Sequence, residues 1–320
     1  MDKRRPVKLI AGLIALAMTA CALLARYLPF ANRLVLTLAA FLPVSTGAGV
    51  ISVILLGLAR RPVLAGTAAA VTAAAIATQV PLYFGDDAPA SAGGLRVLTV
   101  NLKQGEADPD SLVQLAKSGL DVLAVQELSF DALHRLDSSG LNSILKYRIV
   151  EPRADAYGIG LWSRFAITDT KALTDYRIAW QAARIQVAAN SISPVIAVAY
   201  LRNPILNIDA WSTGIRSMPT TLRQLDEWAR GGPVVIAGDF NSTLDMRPFR
   251  DALQHGYRDA AAQTGAGWQP TFESGRWFMP SLIAIDHVLT LRCEASGTHT
   301  VTVPGTDHRA LATTIAIAPV

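Results

Sequence analysis

The sequence predicts an α/β domain, built on a mixed sheet or a pair of sheets flanked by helices, behind a membrane anchor of about three helices. First, residues 1–84 contain three long apolar segments. Second, short β-rich runs outnumber helical ones after residue 94, and several follow one another without a helix between them. Third, the 320 residues are 51% hydrophobic and only 17% charged, which is more apolar than is typical of a soluble protein.

The three apolar segments cover residues 9–28, 34–59 and 63–84, and each is long enough to cross a bilayer, which takes about 20 residues. Two spans are the alternative to three. A cleaved signal peptide is the competing interpretation of the first segment. Its end, LLARY, is a poor small-residue cleavage site, and two further segments follow. We therefore expect a multi-pass anchor over residues 1–84.

The distribution of Lys and Arg predicts the orientation of this anchor. Basic residues precede the first segment and separate the second from the third: Lys3, Arg4, Arg5, Lys8, Arg60 and Arg61. The first and second segments have only Arg26 and Arg33 between them. Basic flanks stay in the cytoplasm, so an odd number of spans places the rest of the chain outside it. We expect a cell-membrane protein with an extracytoplasmic domain.

Net charge argues against a strongly basic nucleic-acid-binding domain, and cysteine content argues against a disulfide-rich one. The whole chain carries +4, but eight of its 29 Lys/Arg lie before residue 95. The domain keeps 21 Lys/Arg against 22 Asp/Glu, so it lacks the basic surface that drives non-specific DNA binding. Cys21 lies in an apolar segment and Cys293 in the domain, so they cannot pair, and no disulfide framework is expected.

A Pro/Gly/Ser-rich segment at 85–94 is a predicted linker, and residues 95–320 suit one domain. Strands are predicted, in order, at 95–102, 121–128, 148–151, 158–163, 184–189, 195–201, 234–237, 283–290 and 310–316. Helices are predicted at 109–118, behind Asp108 as N-cap, at 220–230, with Leu222 and Leu225 on one face, and near 246–255.

Polar side chains recur where these apolar strands end. They are Asn101, Glu127, Asp239 with Asn241, Asp286 with His287, and Asp307 with His308. If the strands lie side by side, the carboxylates, imidazoles and amides converge. Carboxylate oxygens such as those of Glu127 suit Mg²⁺ or Mn²⁺, which bind phosphate oxygens. An Asp can orient a His to take a proton from water, and amides can hold a phosphate without adding negative charge.

Each of these residues also has a structural explanation. Asn101 could form an Asx turn, Asp239 could be a turn residue after Gly238, and Asp286 could be a surface residue. The joint placement at strand ends favours a site for hydrolysing phosphodiesters or phosphomonoesters.

The order of motifs, N, QE, YGIGLWSR, GDFN, IDHV and TDH, resembles the endonuclease/exonuclease/phosphatase family, in a membrane-anchored member of bacterial type. The resemblance extends over residues 95–316. It implies the DNase I-like four-layer α/β sandwich and a metal-dependent phosphoric ester hydrolase that uses Mg²⁺ or Mn²⁺.

The resemblance also implies roles for individual residues. Glu127 is the metal ligand, with Asn101 and Asp307 at the metal. Asp239 activates the nucleophilic water or serves the leaving group, and His308 contacts the phosphate or transfers a proton. Asp286 matches a carboxylate that orients a catalytic His. The residues implied to contact phosphate are Asn241, Asn101 and, on a looser match, Tyr157.

One position departs from the family pattern. In VIAVAYLRNP, Tyr200 stands where the family usually has a His. A tyrosine can donate a hydrogen bond to phosphate, but with a pKa near 10 it is a poor base. Arg202 could compensate through its charge. Asp286 is then left to orient a group other than that histidine.

We expect a membrane-anchored phosphoesterase whose substrate is a lipid head group, a small phosphodiester or nucleic acid; no specific protein partner is indicated. An extracytoplasmic nuclease is one alternative. Another is a catalytically weakened module that binds phosphate or lipid, which Tyr200 favours. The apolar loop Trp277–Pro280 is either core or a contact with a lipid surface.

Overall fold

The structure is a computed structural model that describes residues 4–85, 94–173, 179–187, 193–253, 255–273 and 280–317. In this part of the chain, a helical N-terminal region packs against an α/β domain. Apart from its two end residues, the predicted linker lies outside the described residues, and so do Trp277, Phe278 and Met279.

Within the described residues, the N-terminal region has four α-helices. They are α1 (Arg5–Tyr27), α2 (Arg33–Ala40), α3 (Leu42–Leu58) and α4 (Pro62–Gln79), which a 3-10 helix (Val80–Tyr83) extends. α1, and α4 with its extension, are each long and apolar enough to cross a membrane. α2 and α3 are bent by 67° and make a third candidate only as one broken span. The predicted span over 34–59 is divided into two helices, because Pro43 has no N–H to continue α2 and instead occupies the first turn of α3.

Small residues pack the apolar helices together. The hydroxyl of Ser52 in α3 donates to the carbonyl of Gly12 in α1 at 2.8 Å, and Thr19 donates to Ser45 at 2.8 Å. A Cβ at Gly12 would lie 2.9 Å from Leu56 Cγ. Small side chains and buried hydroxyls therefore let the backbones of α1 and α3 approach closely, as is common between helices in lipid.

Twelve strands in the described part of the chain form two sheets of six. Sheet A has the order β11-β12-β1-β2-β4-β3, and sheet B the order β5-β6-β7-β8-β10-β9. The strands are β1 (Leu95–Asn101), β2 (Val122–Gln126), β3 (Tyr147–Glu151), β4 (Ile159–Ser163), β5 (Ala166–Ala172), β6 (Ala179–Gln186), β7 (Val195–Tyr200), β8 (Val234–Asp239), β9 (Arg258–Asp259), β10 (Asp286–Leu291), β11 (Glu294–Thr302) and β12 (Arg309–Ala316).

The helices of the domain cover both outer faces of this sandwich. They are α5 (Pro109–Lys117), α6 (Phe130–Ser138), α7 (Leu141–Ile144), α8 (Ile208–Ala229), α9 (Arg247–Ala252) and the short α10 (Ala260–Gln263). One core, with Val122 and Val198, fills the space between the sheets. A second lies under α5 to α7, and a third, with Trp211 and Phe249, lies under α8 and α9. The third core also takes in Leu36 and neighbouring residues of α1 and α2, so the helical N-terminal region packs against the domain.

Some boundaries differ from the sequence prediction. α8 begins well before the predicted residue 220 and passes through Pro219. The strands β5 and β11 were not predicted, because both are partly exposed and mix polar with apolar residues. β10 begins at Asp286 rather than 283, since Ile283 instead pairs with Phe272 in an isolated bridge.

Candidate active site

The carboxyl ends of four strands and the start of a fifth lie together at one edge of the sandwich. β1 and β2 are parallel, with Asn101 opposite Gln126. β7 and β8 are also parallel, with Tyr200 opposite Asp239, and antiparallel β10 places Asp286 opposite Asp239. Parallel neighbours end at the same edge of a sheet, so the polar residues that end these strands share one region.

Sheet A contributes Asn101 and Glu127. The side-chain nitrogen of Asn101 donates to Asp239 Oδ2 at 3.0 Å and to Glu127 Oε1 at 3.2 Å. Glu127 is half-buried and has φ +55°, which is costly for a residue with a side chain. The backbone N–H of Gln104 donates to Glu127 Oε2 at 2.9 Å. These contacts hold the carboxylate of Glu127 at the opening of the site.

Sheet B contributes the GDFN turn at the end of β8. A Cβ at Gly238 would lie 2.0 Å from the carbonyl oxygen of Ala199, so only glycine allows this close approach of β7 and β8. Asp239 is fully buried and accepts from the backbone and side chain of Asn241 at 2.8 and 3.0 Å. The side-chain nitrogen of Asn241 also donates to the carbonyl of Leu201 at 2.9 Å. In this arrangement Asn241 orients Asp239, and its contact with phosphate stays a prediction.

Asp286 and His308 form a buried pair beside Asp239. His308 Nδ1 lies 2.8 Å from Asp286 Oδ2, and Nε2 lies 4.0 Å from Asp239 Oδ2. Ligand atoms of these three residues lie within 4.8 Å of one another, so the group could hold a metal ion. Among the residues that the structure describes, Asp286 Oδ1 has no hydrogen-bond partner. The aromatic ring of Phe272 packs on the imidazole, with the centroids 4.9 Å apart.

Burial and charge shift the pKa values of this pair. Burial disfavours the charged form of His308, but the charge and hydrogen bond of Asp286, with Asp239 and Asp307 beyond, outweigh it and raise the pKa of His308 to about 9. Burial, together with the negative charge of Asp286, raises the pKa of Asp239 to about 8. His308 is therefore a cation near neutral pH, while Asp239 is available as a general base once the pH rises above about 8.

The hydroxyl of Tyr200 points into the site. It donates to Glu127 Oε1 at 3.0 Å, and the side chain is only 2% exposed. Burial, then the negative charges of Glu127 and Asp239, raise the pKa of Tyr200 far above its ordinary value. The phenol stays protonated over the physiological range, so Tyr200 serves as a hydrogen-bond donor and not as a base.

Tyr157 and Arg202 form the wall next to Tyr200. The Tyr157 ring meets the Tyr200 ring edge-on, with centroids 6.0 Å apart. The guanidinium carbon of Arg202 lies 4.3 Å from the centroid of Tyr157, a cation–π geometry. In the described part of the chain, the buried Nε of Arg202 has no hydrogen-bond partner. The wall thus places one cation near the carboxylates.

Two predicted site residues, Asp307 and His287, contribute less directly to the site. Asp307 is half-buried, contributes charge next to His308, and is not part of the three-residue group described above. His287 faces the other side of β10 from Asp286, because successive side chains of a strand alternate. It bonds instead to Asp259 at 2.8 Å and to the carbonyl of Ser242 at 2.8 Å.

Sequence reasoning missed Phe272 and Thr306. The hydroxyl of Thr306 donates to the carbonyl of Asn101 at 2.7 Å and accepts from the backbone N–H of His308 at 3.1 Å. Thr306 therefore joins the end of β1 to the turn before β12. A threonine two residues before a histidine carries no signal for such a contact, which only the folded chain creates.

Known proteins share this fold. Residues 98–308 match the Endonuclease/Exonuclease/phosphatase family. No curated protein matches the sequence closely enough to count as a relative. Among solved structures, TDP2 of D. rerio in complex with a single-strand DNA product is similar, with 15% identity and a TM-score of 0.57 over 70% of this chain and 99% of that one.

Two bacterial structures of the family are similar as well. The endonuclease/exonuclease/phosphatase from Bacteroides vulgatus has 17% identity and a TM-score of 0.56, over 71% of this chain and all (100%) of that one. A family protein from Leptotrichia buccalis has 13% identity and a TM-score of 0.55, over 69% and 99%. At these identities the likeness to solved structures shows the α/β DNase I-like two-sheet fold alone. The segment that matches the family, residues 98–308, covers more than half of the sequence. The chain belongs to the endonuclease/exonuclease/phosphatase family.

Proposed function

We propose that this chain is a membrane-anchored phosphoesterase that depends on Mg²⁺ or Mn²⁺ and acts outside the cytoplasm. The observation that carries the proposal is the double contact of Asn101, whose side chain binds both Asp239 and Glu127. It brings a half-exposed carboxylate and the buried Asp239 to one space, next to the imidazole of His308. Carboxylates, amides and one cationic imidazole are the groups that metal-assisted phosphate ester hydrolysis requires.

The donors fit a divalent ion in one of two places. Glu127 is half-exposed, which suits an ion that keeps several waters, and we assign Asn101 and Asp307 to the same ion. The unpartnered Oδ1 of Asp286 offers a second place, within the buried Asp239–Asp286–His308 group. We favour Glu127, because a metal on His308 would have to displace the proton that the raised pKa keeps there. A bound ion would polarise the phosphoryl oxygens.

The side chains of the site then transfer protons and bind the phosphate. Asp239 accepts a proton from water as the water oxygen bonds to phosphorus and the bond to the ester oxygen breaks. His308, oriented by Asp286, supplies a proton to the departing oxygen. Tyr200 and Arg202 supply a hydrogen bond and positive charge to the phosphate, with Asn241 and Tyr157 beside them.

The placement outside the cytoplasm follows from the basic ends of the helices. Arg5 Nε donates to the carbonyl of Ala59 at 2.9 Å, which brings the start of α1 to the end of α3. Arg60 and Arg61 lie at the same end, whereas the domain lies at the other. Because basic ends stay in the cytoplasm, we place the domain, residues 95–320, outside it and residues 1–84 in the membrane.

Each of two alternative functions is supported by one specific observation. An extracytoplasmic nuclease is favoured by the fold that this chain shares with TDP2, which was solved with a DNA product. A weakened module that binds phosphate or lipid is favoured by Tyr200, which cannot act as the base that a histidine supplies.

The test is turnover of bis-p-nitrophenyl phosphate by the purified full-length protein with Mg²⁺, Mn²⁺ or EDTA, beside Glu127→Ala and Tyr200→His. Metal-dependent turnover that Glu127→Ala abolishes would support the phosphoesterase. A silent wild type with an active Tyr200→His would favour the binding module. Cleavage of single-stranded DNA faster than of any small or lipid phosphodiester would favour the nuclease.

A further inference from the structure

The loop after β8, which includes Asn241, also contacts the helices of the anchor. Asp245 is 5% exposed and lies four residues after Asn241. It accepts a hydrogen bond from Gln79, the last residue of α4, at 2.9 Å, and it forms an ion pair with Arg26, next to the end of α1. Four residues span at most about 14 Å, so the Cα of Asn241 lies within that distance of the Cα of Asp245, the residue that contacts the ends of two candidate spans.

A second contact between the anchor and the domain limits the distance to the site in a similar way. The N–H of Gly267 donates to the carbonyl of Leu82 at 2.7 Å, and a Cβ at Gly267 would lie 2.4 Å from the ring of Tyr83. Five residues further along the chain, Phe272 packs on the imidazole of His308. Five residues reach at most about 18 Å, so the closing wall of the site is also tied to the end of the anchor.

Aromatic residues mark the level of the membrane surface at this end. Tyr27, Phe30, Tyr83 and Phe84 are each 55–76% exposed and lie where the apolar helices end on the domain side. Aromatic side chains at helix ends typically lie at the head-group level of a bilayer. The ion pair of Arg26 with Asp245 lies beside this belt.

These distances place the active site close to lipid phosphates. The polar head-group layer is roughly 5 to 7 Å deep on each side of the hydrocarbon core. Asn241 of the catalytic loop lies at most about 14 Å along the chain from Asp245, which contacts the helix ends, so the catalytic centre is held near that layer. We infer that the substrate is a phosphate ester carried by a membrane lipid in the leaflet next to the domain; this inference rests on the proposed function.

The rim of the site has an apolar feature consistent with this position. The loop after β7 leaves the sheet next to the GDFN turn, since the N–H of Leu201 donates to the carbonyl of Asp239 at 2.9 Å. In this loop Ile205 is 50% exposed and Leu206 is 75% exposed. The loop begins at the same edge as the loop that binds Arg26, so Leu206 is placed to enter the head-group layer.

The test compares two probes with the same leaving group. The full-length protein is reconstituted with Mn²⁺ in phosphatidylcholine vesicles that contain a p-nitrophenyl phosphodiester of dioleoylglycerol, while p-nitrophenyl glycerol phosphodiester is the soluble probe. We expect the rate per enzyme on the lipid probe to stay constant when the vesicles are diluted about tenfold, because the local concentration is set by the membrane. The rate on the soluble probe, kept below its KM, should fall in proportion.

Two other outcomes distinguish the lipid assignment from the phosphoesterase proposal. Hydrolysis of the soluble probe without hydrolysis of the lipid probe would overturn the lipid assignment and leave the phosphoesterase standing. Loss of both would overturn the phosphoesterase, and the lipid assignment with it.

Substitution of the rim sharpens the test. We expect Leu206→Glu to lower the ratio of lipid-probe to soluble-probe activity by about tenfold, because a charge replaces an inserted apolar side chain. The matched control is Tyr147→Glu, since Tyr147 is 42% exposed at the opposite end of sheet A. An equal fall in both variants, or in neither, would contradict the contact of the rim with lipid.

Discussion

The candidate active site has an open half and a closed half, and their environments differ. The open half consists of Glu127, Tyr157 and Arg202, which are partly exposed. The closed half consists of Asp239, Asp286 and His308, which are at most 4% exposed. Asn101 joins the halves through hydrogen bonds to both Asp239 and Glu127, and Tyr200 donates to Glu127. Water reaches the open half easily and the closed half hardly at all.

This difference separates two kinds of chemistry. Burial and neighbouring charge raise the pKa values of Asp239 and His308 to about 8 and 9, which prepares the closed half to move protons. We assign the hydrated metal ion and the phosphate to the open half, which includes a guanidinium whose Nε has no partner among the described residues. We therefore expect substitutions in the two halves to have distinguishable effects.

The largest effect should follow from the open half. Glu127→Gln keeps the shape of the side chain but removes the charge that we propose binds the metal, so we expect kcat/KM for bis-p-nitrophenyl phosphate to fall by roughly 10³-fold. The matched control is Glu151→Gln, a carboxylate at the end of β3. A fall of less than tenfold would mean that the metal is held elsewhere.

The next effect concerns the closed half and the pH profile. With Asp239 as base and His308 as acid, wild-type activity should be greatest between about pH 8 and 9. Asp286→Asn removes a negative charge that raises both pKa values, so both limbs of the profile should move to lower pH, with a loss of roughly 10- to 100-fold in kcat. A profile that keeps its position would show that Asp286 does not act on these groups.

A smaller effect should come from Tyr200, which donates a hydrogen bond to Glu127. Tyr200→Phe removes the hydrogen bond to Glu127 and nothing else of the ring, so we expect a loss of about tenfold in kcat/KM, the size of one hydrogen bond to a charged group. Because the phenol does not titrate, the pH profile should not move. A shifted profile would assign proton transfer to Tyr200.

Substitution of His287 should have the smallest effect on catalysis, because its partners lie on the other side of β10. The effect that we expect is on stability. Burial lowers its pKa, but the hydrogen bond and charge of Asp259 outweigh this and raise it. A raised pKa stabilises the fold fully below the unfolded value of about 6.5, and this stability is lost as pH rises through the folded value. His287→Gln should therefore destabilise the protein by about 2 kcal/mol at pH 6 and by less at alkaline pH.

Thermal unfolding of the full-length protein in detergent, followed over pH, measures this difference between wild type and His287→Gln. A difference that grows with pH would contradict the charged pair with Asp259.

Much of the fold could be predicted from the sequence, because buried strands such as VVIAGD carry a strong apolar pattern. The polar residues that end them, such as Asp239, could be recognised for the same reason. The edge strands β5 and β11 could not, since their exposed faces dilute the pattern. The bend at Pro43 was not predicted either, because hydrophobicity averaged over the segment hides a local break.

The pairings within the site depend on tertiary contacts that the sequence does not encode locally. The contact of Asp286 with His308, and that of Tyr200 with Glu127, join strands far apart in the chain. The ion pair of Arg26 with Asp245 joins the anchor to the GDFN loop in the same way. Residue types could be predicted here, but partners could not.

The most direct measurement is a calorimetric titration of Mn²⁺ into the full-length protein and into Glu127→Gln and Asp286→Asn. If the open half holds the metal, Glu127→Gln should lose the binding isotherm, while Asp286→Asn keeps an affinity within about tenfold of wild type. Binding that survives Glu127→Gln and disappears in Asp286→Asn would place the metal in the closed half and contradict the division of the site.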